Sequence, residues 1–106
     1  SRGSGGKQLE VITNSERTIP FTRLIKDFGV QAMRVPIFAQ HNARASLLVA
    51  ELQKKRDAIT DEYLDTNAAF AIASDEYHKK TLLDIFGLED HRQATAFLVA
   101  LSKQYH

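Results

Sequence analysis

The first apolar pattern in the chain has the spacing of a helix. Four apolar residues recur at positions i, i+3, i+4 and i+7, on one helical face: Phe21, Leu24, Ile25 and Phe28. This spacing predicts a helix over about 20–28, with Pro20 in its first turn. Gly29 suits the left-handed position that follows a helix, so we expect the helix to end there.

The pattern from Pro36 onward predicts a long helix. Pro36 disfavours helical backbone at Val35 and is well suited to open the next helix itself. No Gly or Pro follows before Gly87, so this helix could continue to about Asp65 and break near Thr66–Asn67. Its apolar positions are Ala43, Ala45, Leu47, Leu48, Val49, Ala50, Leu52, Ile59, Tyr63 and Leu64.

A second long apolar pattern covers residues 67–86. Ser74–Asp75–Glu76 has the composition of an internal N-cap with acids in the first turn, which divides this segment into two helices joined near Ala73. Gly87 is expected to end the second of these helices.

The last helix is predicted to begin after Asp90, with Gln93 three residues later completing a capping pattern. Apolar residues surround it almost completely from Ala94 to Leu101. We therefore expect it to be the most buried helix.

Together these patterns predict an all-α fold, a compact bundle of four to five helices with short connections and antiparallel neighbours. The β-like composition of Leu9–Thr13 adds one short N-terminal strand or arm as an open alternative. Residues 1–8 read as a flexible leader or vector remnant, and residues 9–106 as a single helical domain.

Composition narrows the class of protein. The 43% hydrophobic content is enough for one modest core. The chain has no cysteine, which excludes disulfides, thiolate catalysis and Cys-based zinc sites and favours a cytoplasmic location. The longest apolar run, Ala96–Leu101, is too short to span a bilayer, so we expect no membrane association.

The formal net charge of +1 conceals an asymmetry between the two halves of the chain. Residues 1–56 hold ten bases and four acids, a net charge of +6, whereas residues 57–106 hold four bases and nine acids, a net charge of −5. One interpretation is that the halves pack together and neutralise each other. The alternatives are a polyanionic partner or association between copies.

Residues with catalytic or metal-binding chemistry form no motif. The four histidines lack the helical spacing of metal ligands: His41, His78, His91 and His106. Asp61 and Asp65 would share one helix face, which is more often a solvated face than a cation site. There is no glycine-rich phosphate loop and no G-x-S-x-G sequence. We therefore expect no enzyme activity, no cofactor, no metal and no small-molecule substrate.

Nucleic-acid binding is the alternative that the basic first half supports. The sequence around Gly29 loosely echoes a helix-turn-helix motif, although Pro36 should break its second helix. The turn at Gly87 is a second helix-turn-helix candidate. The helix after it begins with Glu89–Asp90, whose negative charges would repel phosphate. The candidate phosphate contacts are Arg23, Lys26, Arg34, Arg44, Lys54, Lys55 and Arg56.

The favoured hypothesis is a non-enzymatic interaction module that binds a protein partner or associates with itself within a larger assembly. It rests on a complete helical core pattern, the absence of a catalytic motif, and the division of charge between the two halves.

Overall fold

Six α-helices account for most of the residues that the computed structural model describes, which are 20–63 and 66–106. They are α1 (Phe21–Asp27), α2 (Gly29–Ala39), α3 (Ala43–Lys54), α4 (Ala68–Ser74), α5 (Glu76–Phe86) and α6 (His91–Ser102). Single 3-10 turns follow α3 and α6, at Arg56–Ala58 and Lys103–Tyr105. The all-α prediction is confirmed, with one helix more than expected. The leader and the strand or arm predicted at Leu9–Thr13 lie outside the described residues.

Helix α6 is the centre of the bundle. Every residue from Ala94 to Ser102 is buried, and the helix packs against α1, α2, α3 and α4. The Phe97 ring lies at its middle, with ring centroids 5.8 Å from Phe28 and 5.0 Å from Phe86. The prediction that this helix is the most buried one is confirmed, because a helix that is apolar all round must be enclosed by other helices.

Polar caps set the helix starts in the second half of the chain. Asp75 accepts hydrogen bonds from the backbone N–H groups of Tyr77 and His78, at 3.1 and 3.2 Å. Asp90 caps α6 through the N–H of Gln93, at 3.0 Å. Asn67 caps α4 in the same way. These three starts are confirmed, and each cap satisfies N–H groups that have no partner within the helix.

Gly87 ends α5 as predicted. Its backbone is left-handed, with φ of 69°, and its N–H donates to the Leu83 carbonyl at 2.9 Å. The N–H of Leu88 donates to the Leu82 carbonyl at 3.0 Å, so carbonyls of the last turn are satisfied. This turn directs the chain into the cap of α6.

Two predictions around α2 are wrong. Gly29 does not end a helix in a left-handed conformation: it begins α2, and Phe28, with right-handed backbone, joins α1 to α2 directly. Pro36 neither opens nor breaks a helix, because it lies inside α2. Interior proline costs about 3 kcal/mol in a helix. Burial of the inner face of α2, formed by Ala32, Val35 and Ala39, outweighs that cost.

The single long helix predicted from Pro36 to Asp65 is also wrong. The chain turns after Ala39, and the Asn42 side chain accepts the Ala45 N–H at 2.9 Å to start α3. Helix α3 ends at Lys54, well before Asp65. Asn42 therefore interrupts the predicted helix, although the segment after Pro36 contains no Gly or Pro, because its side chain offers the backbone a competing hydrogen bond.

Within the described ranges, no helix combines the length and the apolar content that crossing a bilayer requires.

The two described glycines should respond oppositely to alanine. Neither site has an atom within 4 Å of an added Cβ, so backbone conformation alone decides the effect. Gly29→Ala should raise the free energy of unfolding by about 0.5–1 kcal/mol, because alanine favours helix. Gly87→Ala should lower it by about 1–2 kcal/mol, because φ is positive there. Urea denaturation measures both, and stabilisation by Gly87→Ala would contradict the left-handed turn.

Two adjacent leucines of α3 provide a matched test of the core. Leu48 is 0% exposed and Leu47 is 54% exposed. Leu48→Ala should lower the free energy of unfolding by about 3 kcal/mol, since it leaves a cavity. Leu47→Ala should change it by less than about 0.5 kcal/mol. Equal effects in thermal or urea denaturation would show that α3 is rotated about its axis.

Candidate interaction surface

The outer face of α2 is apolar. Val30, Met33 and Ile37 are 66%, 61% and 67% exposed, and we call these three residues the α2 stripe. Their spacing of i, i+3 and i+7 places them within an arc of about 60° on the helix surface. The opposite face of α2 is held in the core, so the stripe is presented on a fixed scaffold.

A shallow groove lies beside this stripe, between α2 and the end of α5. Its volume is about 210 Å³, and it is lined by Gln31, Arg34, Val35, Phe38, Ile85 and Phe86. Phe38 is 42% exposed, and its ring meets Phe86 edge-on at a centroid distance of 6.2 Å. The apolar surface of α2 therefore continues from the stripe toward α5.

Arg34 lies between the stripe and the groove. It follows Val30 by four residues and precedes Ile37 by three, so all three are neighbours on the helix surface. It is the only charged residue of α2, and no acidic residue occurs anywhere from Phe28 to Ala50. Within the described part of the chain, Arg34 forms no ion pair. Its positive charge is therefore not neutralised locally.

Arg44, by contrast, connects α3 to α5 through side-chain contacts. Its Nε donates to the Thr81 hydroxyl at 3.3 Å, and its Nη1 lies 3.3 Å from Oδ2 of Asp84. Its guanidinium also lies over the Tyr77 ring, 5.9 Å from the centroid. The Lys80 ammonium, followed by the Arg44 guanidinium, holds the pKa of the Asp84 carboxyl below its ordinary value. Arg44 is thus engaged within the fold.

Three more of the seven candidate phosphate contacts also have partners within the chain. Lys55 pairs with Glu51 at 2.8 Å, and the Lys55 ammonium lowers the pKa of that carboxyl. Arg23 pairs with Asp27 at 3.7 Å, and Arg56 donates to the Tyr105 carbonyl at 2.9 Å. In the described ranges, the three without an ion pair are Lys26, Arg34 and Lys54, on three different helices.

Neither helix-turn-helix candidate has the expected geometry. One residue, Phe28, separates α1 from α2, where the motif needs a turn of about three or four residues. Helix α6, which follows the Gly87 turn, is buried from Ala94 to Ser102, so only its first turn, His91 to Gln93, reaches the surface.

Asp61, the described member of the predicted acid pair, does not lie on a helix. Asp61 and Glu62 occupy a bend after the 3-10 turn, and Asp65 lies outside the described residues. Asp61 pairs instead with Lys103 at 3.5 Å. In the described ranges, no three His, Asp or Glu side chains come together as metal ligands would.

A larger groove runs along the outer side of α5. It has a volume of about 620 Å³, and Leu83 and the buried Leu88 contribute apolar surface to it. The remaining lining residues are Glu76, Tyr77, Lys79, Lys80 and Glu89. Its charged residues include both signs, so they favour no particular charge on a ligand.

Comparison with protein-family models, curated proteins and solved structures finds no match for this chain. The functional assignment therefore depends on the chemistry of these surfaces.

The α2 stripe is the feature that sequence reasoning missed. Because Pro36 was expected to interrupt the helix, residues 30–35 were assigned to no helix or strand. The available signal was that α2 is apolar on both faces, with Ala32 and Val35 on one and Val30 and Ile37 on the other. A helix apolar all round requires burial on all sides, and here one side lacks a cover within the described fold.

Arg44→Gln should destabilise the protein at neutral pH, because it removes the contacts to Thr81 and Asp84. A lowered carboxyl pKa contributes stability above the unfolded pKa and loses it as pH falls through the folded pKa. The difference from the unsubstituted protein should therefore shrink below about pH 4.

The matched control is Arg34→Gln, which removes an arginine without an ion pair in the described ranges and should leave the unfolding profile nearly unchanged at every pH. Urea unfolding monitored by circular dichroism from neutral to acid pH measures both. A stability difference for Arg44→Gln that does not vary with pH would contradict an electrostatic role of the Asp84 contact.

Proposed function

We propose that this protein is a non-enzymatic interaction module that binds a protein partner through the α2 stripe. The observation that carries the proposal is the exposure of Val30, Met33 and Ile37 in a row on one helix whose other face is fixed in the core. Single exposed apolar residues are ordinary, but an aligned set marks a surface that gains from being covered. The absence of cysteine supports a cytoplasmic location for this interaction.

The physical basis is burial of apolar area on a preorganised surface. Burial of apolar area contributes about 25 cal/mol per Å². Because α2 is already folded and packed on α3 and α6, little ordering of the backbone would oppose binding. Interfaces of this kind concentrate their energy in a few central side chains. Met33, in the middle of the stripe, is suited to that role because its side chain adapts to irregular surfaces.

Nucleic-acid binding receives less support from the same surface. A recognition surface for DNA or RNA presents polar and basic groups to phosphates and base edges. The exposed stripe is apolar, and Arg23, Arg44, Lys55 and Arg56 are engaged by groups of the chain itself. The other three candidates, Lys26, Arg34 and Lys54, lie on three different helices.

Selection from a displayed library of helical peptides tests the proposal. Peptides selected on the unsubstituted protein should bind Ile37→Glu at least about tenfold more weakly, since a buried interface disfavours an unpaired carboxylate. Leu83→Glu is the matched control, because it makes the same change on an exposed leucine of α5. Affinity measured by fluorescence anisotropy should be unchanged for that variant, and circular dichroism confirms that both variants are folded.

Other results would contradict the proposal. Peptides that tolerate Ile37→Glu and lose binding with Leu83→Glu would place the interaction in the α5 groove instead. A library that yields no binder would argue against a helix-binding surface. Salt-sensitive binding to DNA that survives Ile37→Glu and weakens when Lys26 and Lys54 are neutralised would favour the nucleic-acid alternative.

A further inference from the structure

We infer that the partner presents an amphipathic helix whose apolar residues are flanked by acidic side chains, and that Arg34 pairs with one of these acids. This inference rests on the proposed function, because it specifies the ligand of the same α2 stripe. It follows from the shape of the surface, its charge, and the position of that charge along α2.

The shape of the surface fits a helix. The α2 stripe has the i, i+3, i+7 spacing of a helix face, and α2 has 11 residues, which corresponds to a length of about 16 Å. The groove on one side of it, with Phe38 at its edge, provides a depression that a side chain of a neighbouring helix could fill. A helix of about three turns laid along α2 would contact the stripe and the groove together.

The charge of the surface fits an acidic ligand. Arg34 is the only charged residue of α2, and the acid-free segment from Phe28 to Ala50 places no carboxylate on this helix or on most of α3. A partner residue next to the stripe would therefore meet a positive charge that lacks a counter-ion in the described ranges. Glu or Asp there gains a pairing, whereas Lys or Arg is repelled.

The position of Arg34 argues against a second copy as the occupant. Arg34 is the middle residue of α2, which runs from Gly29 to Ala39. Two copies that packed their α2 stripes together around a two-fold axis would bring the two Arg34 guanidinium groups close to each other. Like charges at the centre of a small interface disfavour that dimer. A different chain with acidic residues avoids this repulsion.

An anionic membrane fits the surface less well. Helices that lie on anionic lipids carry several Lys or Arg side chains along the polar border of their apolar face. Helix α2 carries one, Arg34, and its remaining polar residue is Gln31. The observations therefore favour a protein helix over a lipid surface.

Three synthetic helical peptides test the inference on the full chain. They share one apolar stripe and differ only at the flanking positions, which are Glu, Gln or Lys. The Glu peptide should bind about three- to fivefold more tightly than the Gln peptide, the usual effect of one or two exposed ion pairs. The Lys peptide should bind more weakly than either. The preference for Glu should diminish as NaCl is raised from about 0.05 M to about 0.5 M.

Arg34→Glu should reverse the order, so that the Lys peptide binds most tightly and the Gln peptide is little affected. The matched control is Lys79→Glu, which makes the same charge change at an exposed lysine of the α5 groove. It should leave the preference for the Glu peptide in place. Fluorescence anisotropy gives the affinities, and circular dichroism confirms that both variants fold.

The possible results separate this inference from the proposed function. Equal binding of all three peptides that is lost in Ile37→Glu would overturn the acidic preference and leave the apolar interaction standing. If no peptide binds, the inference is overturned. The library selection then decides separately whether the α2 stripe binds any protein helix. Sedimentation showing a dimer that Ile37→Glu dissociates would identify a second copy as the occupant. Binding to phosphatidylserine vesicles but to no peptide would identify a membrane.

Discussion

The enclosure of α6 is the constraint on which the rest of the structure depends. Its residues from Ala94 to Ser102 are all buried, so other helices must surround it, and four of them pack directly on it. The small residues Ala96 and Ala100 allow close approach, whereas Phe97 fills the centre with aromatic neighbours. The surrounding helices turn buried apolar faces toward this common core. This is why an apolar face left outside, such as that of α2, needs a separate explanation.

Helix α2 shows how core packing also prepares a surface. Ala32, Val35 and Ala39 hold its inner face strongly enough to tolerate Pro36 within the helix. The same packing fixes the direction of the outer face, where the stripe, Phe38 and Arg34 form an apolar surface with a single positive charge. Rigidity of this kind favours binding, since the ligand need not order the helix that it contacts. The interaction proposed for this protein is thus a consequence of how its core is built.

Sequence reasoning succeeded where one local signal decided the structure. The caps at Asp75 and Asp90 and the stop at Gly87 act through hydrogen bonds or backbone conformation within a few residues, so they could be predicted. It failed around Gly29 and Pro36, where local preferences conflicted and packing decided the outcome. It also failed at Asn42, a local cap that the absence of Gly and Pro concealed. The α2 stripe was missed because an incorrect helix boundary hid its spacing.

The sequence alone determined the all-α class, the central position of the last helix and the starts of the helices in the second half, because periodicity and capping are properties of neighbouring residues. Only the tertiary structure decided which apolar residues remain outside and which basic residues find partners. Arg34 and Arg44 look equivalent in the sequence. In the structure, however, Arg44 contacts Thr81 and Asp84, which lie on α5, about forty residues later in the chain. Such pairings depend on how helices pack against each other, and the chain order of residues does not specify that arrangement.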